Sequence, residues 1–419
     1  MVYSYQYKQE IDTIFYTNGA WLKKGDIKLI KDSREIIKKE NYDVVVVGGG
    51  IAGIAATVSA ARQGVSVLLI EKKINLGGLA TGGLISWYEP LCDGKGNQMI
   101  YGIAEELIKL SVKYSFDSLC SKWGGSVDEN VAANKRYSTF FSPTVFTLAL
   151  DEFVTQNGVK LRFDTLGVCP VMDGNICKGV ICESVGGREF FGAKAVIDAT
   201  GTAVLLKAAG VPTVDGENFM SYMVHGFDKK DAEKLLDDGR LYNFRKWIGV
   251  CSDMEGNGQP EGLEKVAGIT GDEVTDYVLY GKNCMLEKLK TKPREGFDVM
   301  TLPDMPQLRT IRRIKGEADF TATDGQTFED SIGSCGDFRP KGIGNHYQIP
   351  FGALYNKAYP NILAAGRIIS APYGDGWEVA RVIPNCALTG EAAGKAAAYC
   401  AKNNCSADEF DEVLKRDKN

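Results

Sequence analysis

The stretch YDVVVVGGGIAGIAATVSAARQGVSVLLIE at residues 42–71 decides what this chain is built around. Tyr42 opens a β-branched run ending at Val47, the composition of a parallel strand buried on both faces. Gly48-Gly49-Gly50-Ile51-Ala52-Gly53 follows, and then an Ala-rich segment of helical composition runs to Arg62, with Gly64 as its stop. Residues 65–70 supply a second buried strand that ends on Glu71. Together they make one complete βαβ unit of about thirty residues. In this G-x-G-x-x-G pattern Gly48 permits the tight turn, Gly50 lets backbone approach a diphosphate, and Gly53 permits close helix-to-strand packing. The amides of the first helical turn, at Ile51 and Ala52, and the positive end of the helix dipole then face phosphates. Glu71 lies 23 residues after Gly48, where its carboxylate can accept hydrogen bonds from both ribose hydroxyls of an AMP half. A carboxylate there repels a 2′-phosphate and disfavours NADP, but it leaves FAD and NAD both open.

Outside this unit the composition is that of an ordinary globular protein, with 44% hydrophobic and 25% charged residues in 419. That length allows one large domain or two to three ordinary ones. Net charge is -5 and no basic stripe is sustained, so nucleic acid is not an expected partner. Residues 1–40 are polar and mixed in charge, without the apolar core of a signal peptide. The most apolar run, 44–56, is broken by glycines, so no membrane span is expected and the protein is expected in the cytoplasm. Eleven cysteines without a C-x-x-C pair and only two histidines give no usable ligand set, so no metal is expected.

Further along, helices are expected over 103–114 and 143–156. Three β-rich stretches, 159–166, 177–185 and 189–198, are separated by Asp173-Gly174 and Gly186-Gly187, which predicts a small antiparallel meander. The region 211–345 is less regular and reads as an inserted cap. Residues 361–366 read as a last buried strand and 384–402 as an Ala/Gly-rich helix. The expected fold class is α/β: a Rossmann-like FAD-binding domain with a parallel sheet plus an antiparallel meander, and an inserted α+β cap or substrate domain. Its expected division is an extension over 1–40, the nucleotide domain over 41–210 and 346–402, the cap over 211–345, and a tail over 403–419.

Three distant segments choose FAD over NAD by resemblance. Glu71-Lys72 through Gly77-Gly78-Leu79-Ala80-Thr81-Gly82-Gly83 resembles the E-x(4)-L-G-G-x-[AS]-T-x-G stretch of the FAD-dependent oxidoreductase family, within the wider glutathione-reductase-like superfamily. The run from Ala193 to Ala199-Thr200-Gly201 resembles that superfamily's strand ending in A-T-G. Asn361 to Gly366-Arg367, with the later Arg381 to Gly394, resembles its closing N-L-x-x-A-G-R and helix. The stretches around Ile103 and Arg312-Arg313 resemble two shorter family segments. The resemblance implies FAD held by Gly48, Gly50, Ile51, Ala52, Gly53, Glu71, Lys72, Gly77, Gly78, Leu79, Ala80, Thr81, Gly82, Ala199, Thr200, Gly201, Gly366, Arg367, Asn385, Ala387 and Leu388. Where family members often continue A-T-G with Asp this chain has Thr202, so any contact of that Asp does not carry over. Physically, the glycines let backbone pass close to an isoalloxazine ring, Thr81 is placed to donate to its edge, and a helix starting near Pro384 points its dipole at the ring.

A single dinucleotide fingerprint argues against a dedicated nicotinamide domain. Hydride transfer between flavin N5 and a small organic substrate is expected, with dehydrogenation of a C–OH or C–NH group favoured and a base taking the heteroatom proton. The candidate bases are His346, with Tyr347 beside it, and His225. Arg312, Arg313 and Arg381 are candidate anchors for a carboxylate, and Tyr373 and Trp377 candidate walls. Disulfide chemistry at the flavin is not expected, since no cysteine falls between Glu71 and Leu84. Reduction of an activated C=C bond, oxygen insertion and a non-catalytic flavin-containing binding module stay open as alternatives. The electron donor or acceptor and self-association into a homo-oligomer are also open.

Overall fold

A computed structural model of the chain describes residues 15–17, 20–22, 35–116, 119–126, 137–253, 256–291 and 296–416. Most of the expected extension over 1–40, and residues 417–419 of the expected tail, lie outside the described residues.

A short hairpin, β1 (Phe15–Thr17) with β2 (Ala20–Leu22), comes first. Then β3 (Ile37–Val47), α1 (Ile51–Arg62) and β4 (Val67–Ile70) form the βαβ unit, with β3 and β4 parallel and Val44 opposite Val67. β3 begins five residues before Tyr42 because its first half, rich in Lys and Glu, pairs with another strand while its side chains stay in solvent. After β5 (Trp87–Tyr88), α2 (Ile103–Val112), β6 (Thr139–Phe140) and α3 (Pro143–Gln156), the chain enters β7 (Lys160–Arg162), β8 (Leu166–Asp173), β9 (Ile176–Ser184) and β10 (Gly187–Asp198).

The main sheet runs β7-β4-β3-β10-β9-β8, with β18 (Ile362–Ala364) also on β10. β10 is parallel to β3 along its length, antiparallel to β9 over its first half, and parallel to β18 over its last three residues. This corrects the expected meander. The stretch 159–166 does not belong to it: β7 extends the parallel sheet beyond β4. The meander's first member is instead β8, whose Gly167 and Pro170 break the alternation that marks a strand. Pro170 is tolerated because β8 is an edge strand, where a missing N–H leaves no ladder bond unmade.

Between 204 and 314 lie α4 (Val204–Ala209), β11 (Thr213–Asp215), β12 (Ser221–Asp228), α5 (Lys229–Asp238), β13 (Lys246–Cys251), α6 (Gly271–Thr291), β14 (Phe297–Thr301) and β15 (Arg312–Ile314). The antiparallel sheet β13-β12-β14 packs Tyr222, Val224 and Ile248 against Tyr277 and Met285 of α6, a core separate from that of the main sheet. The alternate residues of β12, Ser221, Met223 and His225, face the other way. β16 (Ser331–Cys335) and β17 (Tyr347–Pro350) form a ribbon, and α7 (Asp375–Ala380), α8 (Ile383–Asn403) and α9 (Ala407–Arg416) close the chain.

α8 lies against α1 with almost no space between backbones. A Cβ on Gly390 would fall 2.2 Å from the Ala52 carbonyl oxygen, and one on Gly394 2.2 Å from that of Ala56. The small residues of α8 are therefore explained first by this helix contact.

Candidate active site

β3 delivers the chain to a turn that only glycines make. Gly48 has φ +106°, and a Cβ there would meet the Ala199 carbonyl oxygen at 2.4 Å, so the ends of β3 and β10 touch through backbone. A Cβ on Gly53 would lie 1.8 Å from the Gly48 carbonyl oxygen. At Gly50, by contrast, a Cβ would meet nothing within 4 Å. Gly50 is the N-cap of α1, makes no side-chain cap bond, and is followed by no acidic residue in the first turn. Open space thus lies directly off an uncapped, positively polarised helix end bearing the amides of Ile51 and Ala52.

The loop at 77–84 is laid over this end. Gly77 bridges to Gly50 and its amide donates to the Gly49 carbonyl at 2.8 Å. A Cβ on Gly78 would be 3.1 Å from the Gly50 Cα. Glu71 is buried at the end of β4, and its carboxylate accepts from the Gly49 amide at 2.5 Å and the Lys73 amide at 2.9 Å. Lys72 is exposed, Leu79 half-buried and Ala80 buried. Gly82 is covered by Asp304, whose carboxylate also takes the Lys73 ammonium at 2.5 Å. The expected donation from Thr81 to a flavin edge is corrected: its hydroxyl points inward and donates to the Leu76 carbonyl at 2.6 Å.

On the β10 side, Asp198 is fully buried and accepts from the Thr200 amide and hydroxyl and from the Leu205 and Leu206 amides, so it caps α4. Ala199 is buried, and Gly201 has φ +71°. Thr202 shares the Thr200 hydroxyl at 3.0 Å. Arg367 donates from Nε to the Gly201 carbonyl at 3.0 Å and from Nη1 to the Leu308 carbonyl, so its buried guanidinium ties the β10 turn to the cap. Burial pushes that group down to about 10. Gly366 has φ +80° and lies against Ala52, and Ala387 is buried in α8 beside the half-buried Leu388. Asn385, 1% exposed in the first turn of α8, donates to the Val379 carbonyl, while its Oδ1 has no partner.

These residues fit FAD. A Cβ at Gly50 would meet nothing within 4 Å, the α1 N-terminus has no side-chain cap, and the buried Asn385 Oδ1 has no hydrogen-bond partner, features that a diphosphate at α1 and a polar ring edge at α8 can use.

The sequence-derived bases lie elsewhere. His225, 2% exposed, has Nε2 3.0 Å from the Leu84 carbonyl, 3.3 Å from the Ser86 hydroxyl and 3.1 Å from the Trp247 indole nitrogen. Burial first, and then the charge of Arg245, push its pKa down to about 4, so it is neutral at neutral pH. It fastens the cap sheet to the glycine loop. His346 is on the opposite footing, with 54% of its side chain exposed and Nε2 3.4 Å from Asp93. Tyr347 donates its hydroxyl to Asp337 at 3.1 Å. Two of the expected carboxylate anchors are paired, Arg312 with Asp215 across β11–β15 and Arg381 with Glu378, while Arg313 lies 3.5 Å from Ser370 and 3.6 Å from Asp319 with its buried Nε unpartnered. Trp377 is buried with its indole N–H on the Arg367 carbonyl, and Tyr373 is exposed.

A shallow cleft with a cavity volume of about 20 Å³ opens between the cap and α7. Its walls include Glu217, Ser221, Tyr277 and Arg309 from the cap and Tyr373 and Glu378 from the α7 side. Gln307 also lines it and connects it to the glycine loop, donating to the Gly83 carbonyl at 2.7 Å and accepting from the Met223 amide at 2.8 Å. Glu378 and Arg309 fall within stretches that the sequence singles out but gives no role, and Gln307 and Tyr277 are not singled out at all. Gln307 and Arg309 flank Leu308 beside the noted arginines, and Glu378 follows Trp377, so proximity to resemblance segments was the one available signal.

The sequence model of the FAD dependent oxidoreductase family matches residues 43–224 and 264–416. A digeranylgeranylglycerophospholipid reductase of Methanosarcina acetivorans is 26% identical over 206 residues, 45% of this chain and 46% of that protein. A thioredoxin reductase of Ureaplasma parvum is 24% identical over 175 residues, 39% of this chain and 53% of that protein. The chain thus spans about half the length of these curated relatives. Among solved structures, p-nitrophenol 4-monooxygenase from Pseudomonas putida superposes with a TM-score of 0.49 at 13% identity, over 89% of this chain and 83% of that one.

Proposed function

The chain belongs to the FAD dependent oxidoreductase family, and from that premise we propose that it dehydrogenates a C–OH or C–NH group of a small polar substrate held in the cleft between the cap and α7. The observation that carries this reading is the polar lining of that shallow cleft, with two carboxylates, a guanidinium, two phenols and two amides around its mouth. A polar wall recognises a hydroxylated or aminated substrate through hydrogen bonds and penalises an apolar chain that leaves those groups unpaired. When bound, FAD would supply the two-electron redox chemistry.

The chain's own groups do the rest. Gln307 couples the cleft to the loop at 77–84, because one amide side chain touches both Gly83 and β12. Arg309 orients the substrate's polar end beside Tyr277, whose hydroxyl is held by the Ser221 backbone. Glu378, on the α7 wall and held through Oε2 by Arg381, takes the heteroatom proton at its other oxygen as the C–H bond is broken. His225, Ser86 and Trp247 keep the cap sheet on the glycine loop and exclude water from that seam.

Anaerobic mixing of the yellow enzyme with a panel of polar alcohols and amines tests the proposal, since a substrate bleaches the flavin absorbance. Glu378→Gln is expected to slow that bleaching by roughly a hundredfold, the usual worth of a general base, while FAD stays bound. If no polar alcohol or amine bleaches the flavin, and the chemically reduced enzyme is instead reoxidised by a C=C substrate, the reaction is a reduction of the kind named for the Methanosarcina relative and the present reading is wrong.

A further inference from the structure

The contacts of Gly390 on Ala52 and Gly394 on Ala56 advance together along both helices, so α8 and α1 run parallel. α8 begins seven residues ahead of Gly390, whereas α1 begins one residue ahead of Ala52. At 1.5 Å per residue the positive end of α8 therefore projects about 9 Å beyond that of α1. A dinucleotide held by its diphosphate at α1 would bring its other half toward the projecting end.

That end has no cap of its own. Its N-cap residue, Val382, makes no side-chain cap bond, and Pro384 has no N–H to offer. The cap comes from a different element: Glu89, just after β5, accepts from the Ile383 amide at 3.1 Å while its side chain is buried. Two residues along the same first turn is Asn385, whose Oδ1 is buried and without a partner. The groups facing Glu89 are Tyr88, whose hydroxyl is taken by the Ala104 carbonyl, Cys386 of α8, and Arg381 at the end of α7, itself held by Glu378. Arg367 stands next to Cys386.

We propose that Glu89 is a positioning residue that sets the charge at the N-terminus of α8: ionised, it neutralises the helix's positive end, and protonated, it leaves that end to the flavin half of FAD. Added negative charge on the flavin side is then balanced by uptake of one proton at the Glu89 carboxyl. Burial pushes this carboxyl up to about 7, against the pull of its own backbone amide, the Ile383 amide and Arg381. The group is thereby poised to change charge near neutrality, where an exposed glutamate is fully ionised. The inference rests on FAD binding alone and is independent of what the cleft holds.

The test is redox potentiometry of the FAD-loaded wild type and Glu89→Gln across roughly pH 5.5 to 8.5. The wild type is expected to take up one more proton per electron pair than the variant around neutral pH, and Glu89→Asp to restore that extra proton with a displaced midpoint. Identical pH dependence in wild type and Glu89→Gln overturns the proposal. If Glu89→Gln does not fold, infrared difference spectra of the wild type decide: a protonated-carboxyl band that grows on reduction at neutral pH supports it, and its absence overturns it.

Discussion

Gly50 and Gly53 are three residues apart in one turn, yet a methyl group meets open space at the first and the Gly48 carbonyl at 1.8 Å at the second. Gly53→Ala is accordingly expected to cost about 3 kcal/mol or more, because backbone cannot yield as a flexible side chain does. Gly50→Ala should stay within about 1 kcal/mol of wild type in urea unfolding but weaken FAD binding at least tenfold. Equal effects of the two changes on stability would contradict the cradle as described. His225 supplies a second check through pH. Its folded pKa of about 4 lies below the ordinary 6.5, so the folded state binds fewer protons than the unfolded one between those values. Its penalty is absent above the unfolded pKa and grows as pH falls toward the folded one, on the order of 2–3 kcal/mol at full size. Denaturation midpoints measured at neutral and mildly acid pH should therefore show the wild type more stable than His225→Gln at neutral pH, where the neutral imidazole holds the loop, and falling faster on acidification so that the gap narrows. Parallel decline would mean that the imidazole is not held neutral.

Among elements, the α1–α8 contact carries the most consequence. Gly390→Val places branched carbons where even a Cβ would be 2.2 Å from the Ala52 carbonyl oxygen, so the two helix ends must separate. Loss of soluble folded protein, or of bound flavin, is the expected result in expression and absorbance measurements. The same element scale explains what the sequence disclosed. β3, α1 and β4 were legible because strand run, glycine turn and buried helix are local patterns, and α3 matched its expected span because Pro143 marks its start. β8 was not, since Gly167 and Pro170 erase alternation and its place at the sheet edge depends on β9. The histidines misled for a related reason: residue type suggested bases, but burial decided that His225 clamps the loop and exposure left His346 beside Asp93. Glu89 gave no signal, because its partner amide at Ile383 comes from a segment far along the chain.

For the molecule as a whole, the main sheet fixes two helix ends and the cap fixes what approaches them. The cleft draws its walls from segments around 217–221, 277, 307–310 and 373–378, and no local pattern could have assembled them. Arg367 and Gln307 bind the two parts together, one through Gly201 and Leu308, the other through Gly83 and Met223. Among the described residues no helix is long and apolar enough to cross a membrane. Everything downstream depends on whether the uncapped N-terminus of α1 holds the diphosphate of FAD. Thermal unfolding of flavin-stripped protein over a range of FAD and NAD concentrations measures this directly. The account predicts a Tm that climbs with FAD, equivalent to about 2.7 kcal/mol at a hundredfold excess over Kd, and no comparable climb with NAD. A Tm indifferent to FAD, or raised equally by both nucleotides, would contradict it.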